Sequence, residues 1–111
     1  MKRIGLLLVL SLAACGGSGT RSAADVRACV AKKLPPHYVD RVFASTEEGA
    51  TSVNYFHNGN ETDLTVFPSV SAAKEAEKAE ARLGDAHDRR IANVLYSGGG
   101  KIEAAIQDCV R

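Results

Sequence analysis

The most reactive side chains in this sequence are three thiols, Cys15, Cys29 and Cys109. A cysteine can be a nucleophile, a metal ligand or half of a disulfide, and spacing separates these roles. No C-x-x-C occurs, so neither a redox dithiol nor half of a zinc site is spelled out. Cys29 and Cys109 each fall on the apolar stripe of a helical segment, one near each end of the globular part. Joining them pins the two ends together, which by chain entropy contributes about 4 to 5 kcal/mol before strain is subtracted. A redox role suits Cys109 poorly, because the helix dipole at a C-terminus disfavours a thiolate.

The remaining candidates for chemistry fail on spacing. Ser97-Gly98-Gly99-Gly100-Lys101 sits between a strand and a helix, where free amides attract phosphate. A phosphate loop needs glycine where Leu95 stands and Ser or Thr where Ile102 stands, so a turn is the better reading. His87 lies between Asp85 and Asp88, but neighbouring loop residues rarely converge on one ion, and no H-x-x-x-H or H-E-x-x-H spacing involves His37, His57 or His87. No G-x-S-x-G elbow exists for serine catalysis, and Glu47-Glu48 falls in a turn with no enclosing cleft. Asn60-Glu61-Thr62 matches a glycosylation sequon. No catalytic, cofactor-binding or metal-ligating set is therefore assigned, and an enzyme is not expected.

The N-terminus carries the strongest signal. Lys2 and Arg3 form a positive n-region, Ile4 to Leu12 an apolar h-region, and Ala13-Ala14 a small-residue cleavage site, the three parts of a secretory leader. The apolar run is about half the roughly 20 residues that a membrane-spanning helix requires. Leu12-Ala13-Ala14-Cys15 resembles the lipobox of bacterial lipoproteins. That resemblance covers only the leader. It implies that Cys15 receives a diacylglycerol, that the chain is cut just before it, and that lipid on Cys15 holds the protein at a membrane. It also leaves Cys29 and Cys109 as the pair available for a disulfide, in a compartment that permits one. Gly16-Gly17-Ser18-Gly19-Thr20 follows as a flexible tether. Position 16 is not aspartate, so by the same resemblance the protein reaches the outer membrane in an enteric-type diderm. In a monoderm it stays on the outer face of the cytoplasmic membrane.

The sequence thus divides into a leader at 1–14, a tether at 15–21 and one domain at 22–111. With Lys2 and Arg3 removed, 12 of the 14 Lys and Arg face 13 Asp and Glu, a net charge of −1 with no basic block. That balance excludes nucleic acid and a polybasic membrane patch. The hydrophobic fraction of 45% leans on alanine, with three Phe, three Tyr and no Trp, which makes for a thin core.

Ser22 and Asp25 open a helix as a capping box, Val26, Cys29, Val30 and Leu34 recur at helical spacing, and Pro35-Pro36 ends it. From His37 to Phe67, β-branched and aromatic residues alternate around turns at Glu47-Glu48-Gly49 and Asn58-Gly59. Val53 and Tyr55 pair with Leu64 and Val66 in a hairpin, and Val39 to Ala44 forms a third strand. Ala72, Ala76, Ala79 and Leu83 share one face of a second helix that ends at Gly84. Ile91 to Tyr96 reads as one central strand broken only by Asn93, and a last helix presents Ile102, Ala105, Ile106 and Cys109.

The expected class is α+β, a small antiparallel or mixed sheet of three to four strands covered on one face by helices, in the order α-β(-β)-β-α-β-α. Leu64 to Tyr96 then forms a parallel right-handed crossover, loosely similar to a ferredoxin-like split motif. The expected role is a non-enzymatic, lipid-anchored envelope module that is structural, accessory or protein-binding. It would use the hairpin edge or exposed Tyr and Phe side chains. The alternative is an envelope-facing module for a small ligand or a metal.

Overall fold

The computed structural model of the protein describes residues 20–84 and 89–111. The first helix, α1 (Ala23–Lys33), begins where Ser22 Oγ accepts the Asp25 amide at 3.1 Å. Among the described residues the return bond of a capping box, from the Ser22 amide to the Asp25 carboxylate, is not made. Aspartate is one methylene shorter than the glutamate that motif uses. Lys32 and Lys33 occupy the last turn and Leu34 is extended ahead of Pro35, as the dipole and the proline ring require.

Three strands follow as a meander: β1 (Arg41–Glu47), β2 (Ala50–His57) and β3 (Asn60–Val66). Both connections are two-residue turns with positive φ at each central position, Glu48 and Gly49 in one, Asn58 and Gly59 in the other. This is the type I′ geometry whose twist matches the strands it joins. The strand expected at Val39–Ala44 is present but displaced to Arg41–Glu47. Asp40 explains the shift: its amide donates to the Phe56 carbonyl and its carboxylate accepts the Asn58 amide, each at 2.8 Å, so it anchors the strand's start.

The second helix, α2 (Val70–Arg82), starts on a Ser69 cap that accepts the Ala72 amide at 3.0 Å. It leads to a short hairpin, β4 (Arg89–Ile91) and β5 (Val94–Ser97), and then to α3 (Gly100–Val110). The single strand expected over Ile91–Tyr96 is therefore two strands, reversed at Ala92-Asn93. Ala92 takes φ 55°, the positive value a two-residue turn demands of its first position. Asn93 supplies the reason for the reversal. Its side chain is fully buried and bonds only backbone, accepting the Arg21 amide at 2.7 Å and donating to the carbonyls of Arg21 at 2.8 Å and Phe67 at 2.7 Å. Its own carbonyl accepts the Phe67 amide at 2.8 Å. One residue thus ties together the entry to α1, the exit from β3 and the β4–β5 turn.

The strands form one antiparallel sheet in the order β1-β2-β3-β5-β4, so the α+β class and the element order are as expected, with five strands in place of three or four. The parallel crossover is not formed. The extra reversal at Asn93 sends β5 antiparallel to β3, with Leu64 opposite Tyr96 and Val66 opposite Val94.

One face of the sheet carries the core. Val53, Tyr55, Leu64, Val66, Val94 and Tyr96 meet Val26 and Val30 of α1 and Ile102, Ala105, Ile106 and Val110 of α3. The expected cover on one face holds for α1 and α3, whereas α2 lies on the other. Leu95 and Arg90 are cross-strand partners and so share a face opposite to Val94 and Tyr96. Arg90 Nε meets Glu77 of α2 at 3.0 Å there, and Ala73 of α2 is fully buried on that side. The helix is accordingly rotated from its expected alanine face, and Leu83, placed on that face by its spacing, is 82% exposed at the C-cap.

Candidate interaction edge and groove

The residues singled out for chemistry fall into three groups. Leu12 to Cys15, the tether up to Gly19 and Asp85 to Asp88 lie outside the described residues. Cys29 of α1 and Cys109 of α3 stand at disulfide distance, with Cα atoms 5.8 Å apart, and they close a loop of 80 residues. The rest have structural occupations. Ser97 to Lys101 turns the chain into α3, and Gly98, at φ 126°, runs against Thr62 so closely that an added Cβ would meet its Oγ1 at 2.7 Å and its Cα at 2.8 Å. Glycine is there for that approach.

His57 stacks on Tyr38 at 3.8 Å between centroids and donates from Nδ1 to the Tyr38 carbonyl at 2.6 Å. That bond orients the ring so that Nε2 lies 3.3 Å from Asn58 Nδ2. His37 is exposed in the turn before Tyr38 with φ 63°. Glu47 ends β1 and Glu48 turns it. Among the described residues no three His, Cys, Asp or Glu side chains gather in a way that could hold a metal ion, and no helix is long and apolar enough to cross a membrane.

What the fold does assemble is an edge. All seven residues of β1 are exposed, and among the described residues no strand pairs with its outer side. Glu47 and Ala50 flank the two-residue turn as a hydrogen-bonded pair, so bonding alternates along the ladder from there. Glu47, Ser45 and Phe43 direct their N–H and C=O groups at β2, while Thr46, Ala44 and Val42 direct theirs outward. A strand edge of this kind templates another strand unless proline, lysine or a bulge blunts it. The middle of β1 has none of these.

Beside the edge lies a groove of about 640 Å³ between α1 and the strands, open to the surface. Ala24, Ala28 and Ala31 of α1 form one wall, Leu34, Pro35 and Val39 the end, and Val42 and Tyr55 the floor. Alanines on the helix leave this space unfilled. Tyr55 is 94% shielded from solvent, being 6% exposed, and among the described residues its hydroxyl has no hydrogen-bond partner. Burial pushes its pKa up, and the Arg27 guanidinium at the groove rim pulls it the other way.

The opposite face of the same strands is polar and aromatic. Phe43 and Phe56 meet edge to face at 5.7 Å, with Arg41 over both rings at 5.8 and 5.3 Å. Next to them Asn54 Nδ2 donates to Asp63 at 2.6 Å and to Glu61 at 3.2 Å. The hydrogen bond from its carboxyl to Asp63, and the Asp63 charge, hold Glu61 above the ordinary carboxylate range.

Sequence reasoning named the hairpin edge but not the roles of Arg41, Glu47, Tyr55, Arg27 or Asn93. The lone polar residue in an apolar run was the available signal for Asn93. Nothing in the local pattern marks Tyr55, whose alternation is that of any core tyrosine. Comparison with protein-family models, with curated proteins and with solved structures returns no match, so the site is read from its own geometry.

Proposed function

We propose that this protein is a lipid-anchored lipoprotein of the bacterial cell envelope whose domain binds another protein through β1 and does no covalent chemistry. The observation that carries the binding role is the free edge of β1, seven exposed residues with outward N–H and C=O groups at Val42, Ala44 and Thr46. Strand addition at such an edge draws affinity from the main chain and specificity from side chains on either face. Phe43, at 53% exposure, and Val42, at 44%, are the apolar side chains offered there.

The anchoring part rests on the leader and the lipobox resemblance at Leu12 to Cys15. A Gly/Ser tether lets the edge reach partners on or near the membrane. A disulfide between Cys29 and Cys109 fits the oxidising side of that membrane.

A photoreactive residue at Ala44 of the full chain, activated in intact cells, tests the edge. Discrete protein adducts at Ala44, absent when the same label sits at exposed Lys78 of α2, are the expected result. Equal labelling at both sites would overturn it. Cys15→Ser tests the anchor, and membrane fractionation unchanged by that substitution would refute lipid attachment.

A second reading, a small-ligand module, is favoured by one observation. The Tyr55 hydroxyl, without a hydrogen-bond partner among the described residues and lining an apolar groove together with Arg27, suits an amphiphile with an anionic head. Displacement of a fluorescent fatty acid, lost in Tyr55→Phe and Arg27→Gln, tests it.

A further inference from the structure

We propose that the strand which completes β1 is β1 of a second copy of this chain, paired antiparallel about a two-fold axis at Ala44. The inference rests on the reading of β1 as a binding edge and names the partner for it.

The backbone restricts the registers. Outward groups belong to Val42, Ala44 and Thr46 alone, and an antiparallel ladder forms only when outward residues stand opposite outward residues. Odd shifts of register fail this condition. Centred on Ala44, the pairing sets Val42 against Thr46 of the partner subunit and Ala44 against its own equivalent. The whole strand is used, and six backbone hydrogen bonds cross the interface.

The side chains select the same register. Arg41 begins β1 and Glu47 ends it, so centring on Ala44 places Arg41 against Glu47 of the partner subunit at both ends. These are non-hydrogen-bonded pairs, in which facing side chains come closest. Arg41 and Glu47 lie on the sheet face opposite the core, as the alternation from Val42 and Tyr55 requires. Moving the axis to Phe43 or Ser45 breaks both ion pairs and shortens the overlap. Parallel pairing in register sets arginine beside arginine and glutamate beside glutamate. Two independent features, hydrogen-bond parity and charge order, therefore point to one arrangement.

The exposed apolar residues are disposed of by it as well. Phe43 stands opposite Ser45 of the partner subunit and diagonally from the partner's Phe43, a spacing that long aromatic side chains bridge. Val42 and Phe43 are two of the three large hydrophobics exposed among the described residues. The arrangement closes. Among the described residues the joined sheet ends at β4 on each side, an edge of three residues, too short to recruit another copy.

Two full-length copies with different tags, co-expressed and recovered in detergent, provide the test. Arg41→Glu and Glu47→Arg are each expected to lower co-recovery about tenfold or more, because each sets like charges face to face at both ends. The double variant Arg41→Glu/Glu47→Arg restores opposite charges and is expected to return co-recovery to the parent level. Ala44→Cys adds a geometric readout. Hydrogen-bonded cross-strand pairs have Cα atoms about 5.5 Å apart, within disulfide range, so Ala44→Cys is expected to form covalent dimers in cells while Ser45→Cys is not. A double variant as weak as either single, or equal crosslinking at both positions, overturns the proposal. If copies fail to associate while the label at Ala44 captures a different envelope protein, the dimer is refuted and the binding edge stands.

Discussion

Removing the Asn93 side chain is the sharpest test of how this domain is held together. Its three hydrogen bonds, at 2.7, 2.7 and 2.8 Å, go to the amide and carbonyl of Arg21 and the carbonyl of Phe67. At a net of about 0.5 to 1.5 kcal/mol each they sum to about 1.5 to 4.5 kcal/mol, and Asn93→Ala also strands three backbone groups. Arg21 is half-buried, so water recovers part of that loss. The expected destabilisation of Asn93→Ala is about 2 to 4 kcal/mol, a large share of the 5 to 15 kcal/mol typical of a domain.

Asn93→Asp keeps the shape but turns two donors into an acceptor aimed at two carbonyls. Burial and those carbonyls raise the carboxyl's pKa in the folded state. The penalty is therefore small below the unfolded value of about 3.9 and grows as pH rises through the folded value. Urea denaturation at neutral and acidic pH measures both effects. If Asn93→Ala unfolds within about 0.5 kcal/mol of the parent, or the stability deficit of Asn93→Asp is the same at both pH values, Asn93 does not tie the three segments together.

Reduction, or replacement of both Cys29 and Cys109 by serine, is expected to cost up to about 4 to 5 kcal/mol, because the bond closes a loop of 80 residues, and a denaturation midpoint unchanged by reductant would contradict it. Gly98→Ala drives a methyl into Thr62, at 2.8 Å from its Cα, and leaves φ at 126°, so a loss of about 1 to 3 kcal/mol is expected, relieved in part by Thr62→Ser if side-chain crowding contributes. Glu61 binds its proton more tightly in the folded state, so the stability it contributes is present below its ordinary pKa and is lost as pH rises through the raised value. Glu61→Gln is expected to flatten that acidic slope, and melting curves across the range would show it.

Much of the local structure is legible from the sequence because it is decided locally. Ser22 and Ser69 cap helices since nothing else is near the first free amides, and Asn58-Gly59 turns the chain since both residues accept positive φ. Val26 and Val30, Val53 and Tyr55, and Ile102 and Ile106 face the core as their periods of 3.6 and 2 dictate. The approach of Cys29 to Cys109 was likewise readable, because both sit on stripes that must turn inward.

The misread segments are those where distant backbone decides. Ile91 to Tyr96 has the composition of one buried strand, and only the carbonyls of Arg21 and Phe67, far away in sequence, give Asn93 a reason to turn. That reversal sets the direction of β5, which makes the sheet antiparallel and sends α2 to the other face. Leu83 is exposed for the same reason, since a helix docked through Ala73 and Glu77 cannot also bury it.

The sequence by itself determined the capped starts of the first two helices and the Asn58-Gly59 turn, all set by neighbours within a few residues. Tertiary structure alone decided that β1 has no outer neighbour among the described residues, that Tyr55 faces an unfilled groove, and that Arg41 and Glu47 stand at opposite ends of one exposed edge. Period and propensity describe a strand's own residues, whereas an edge is a property of what the rest of the chain leaves uncovered.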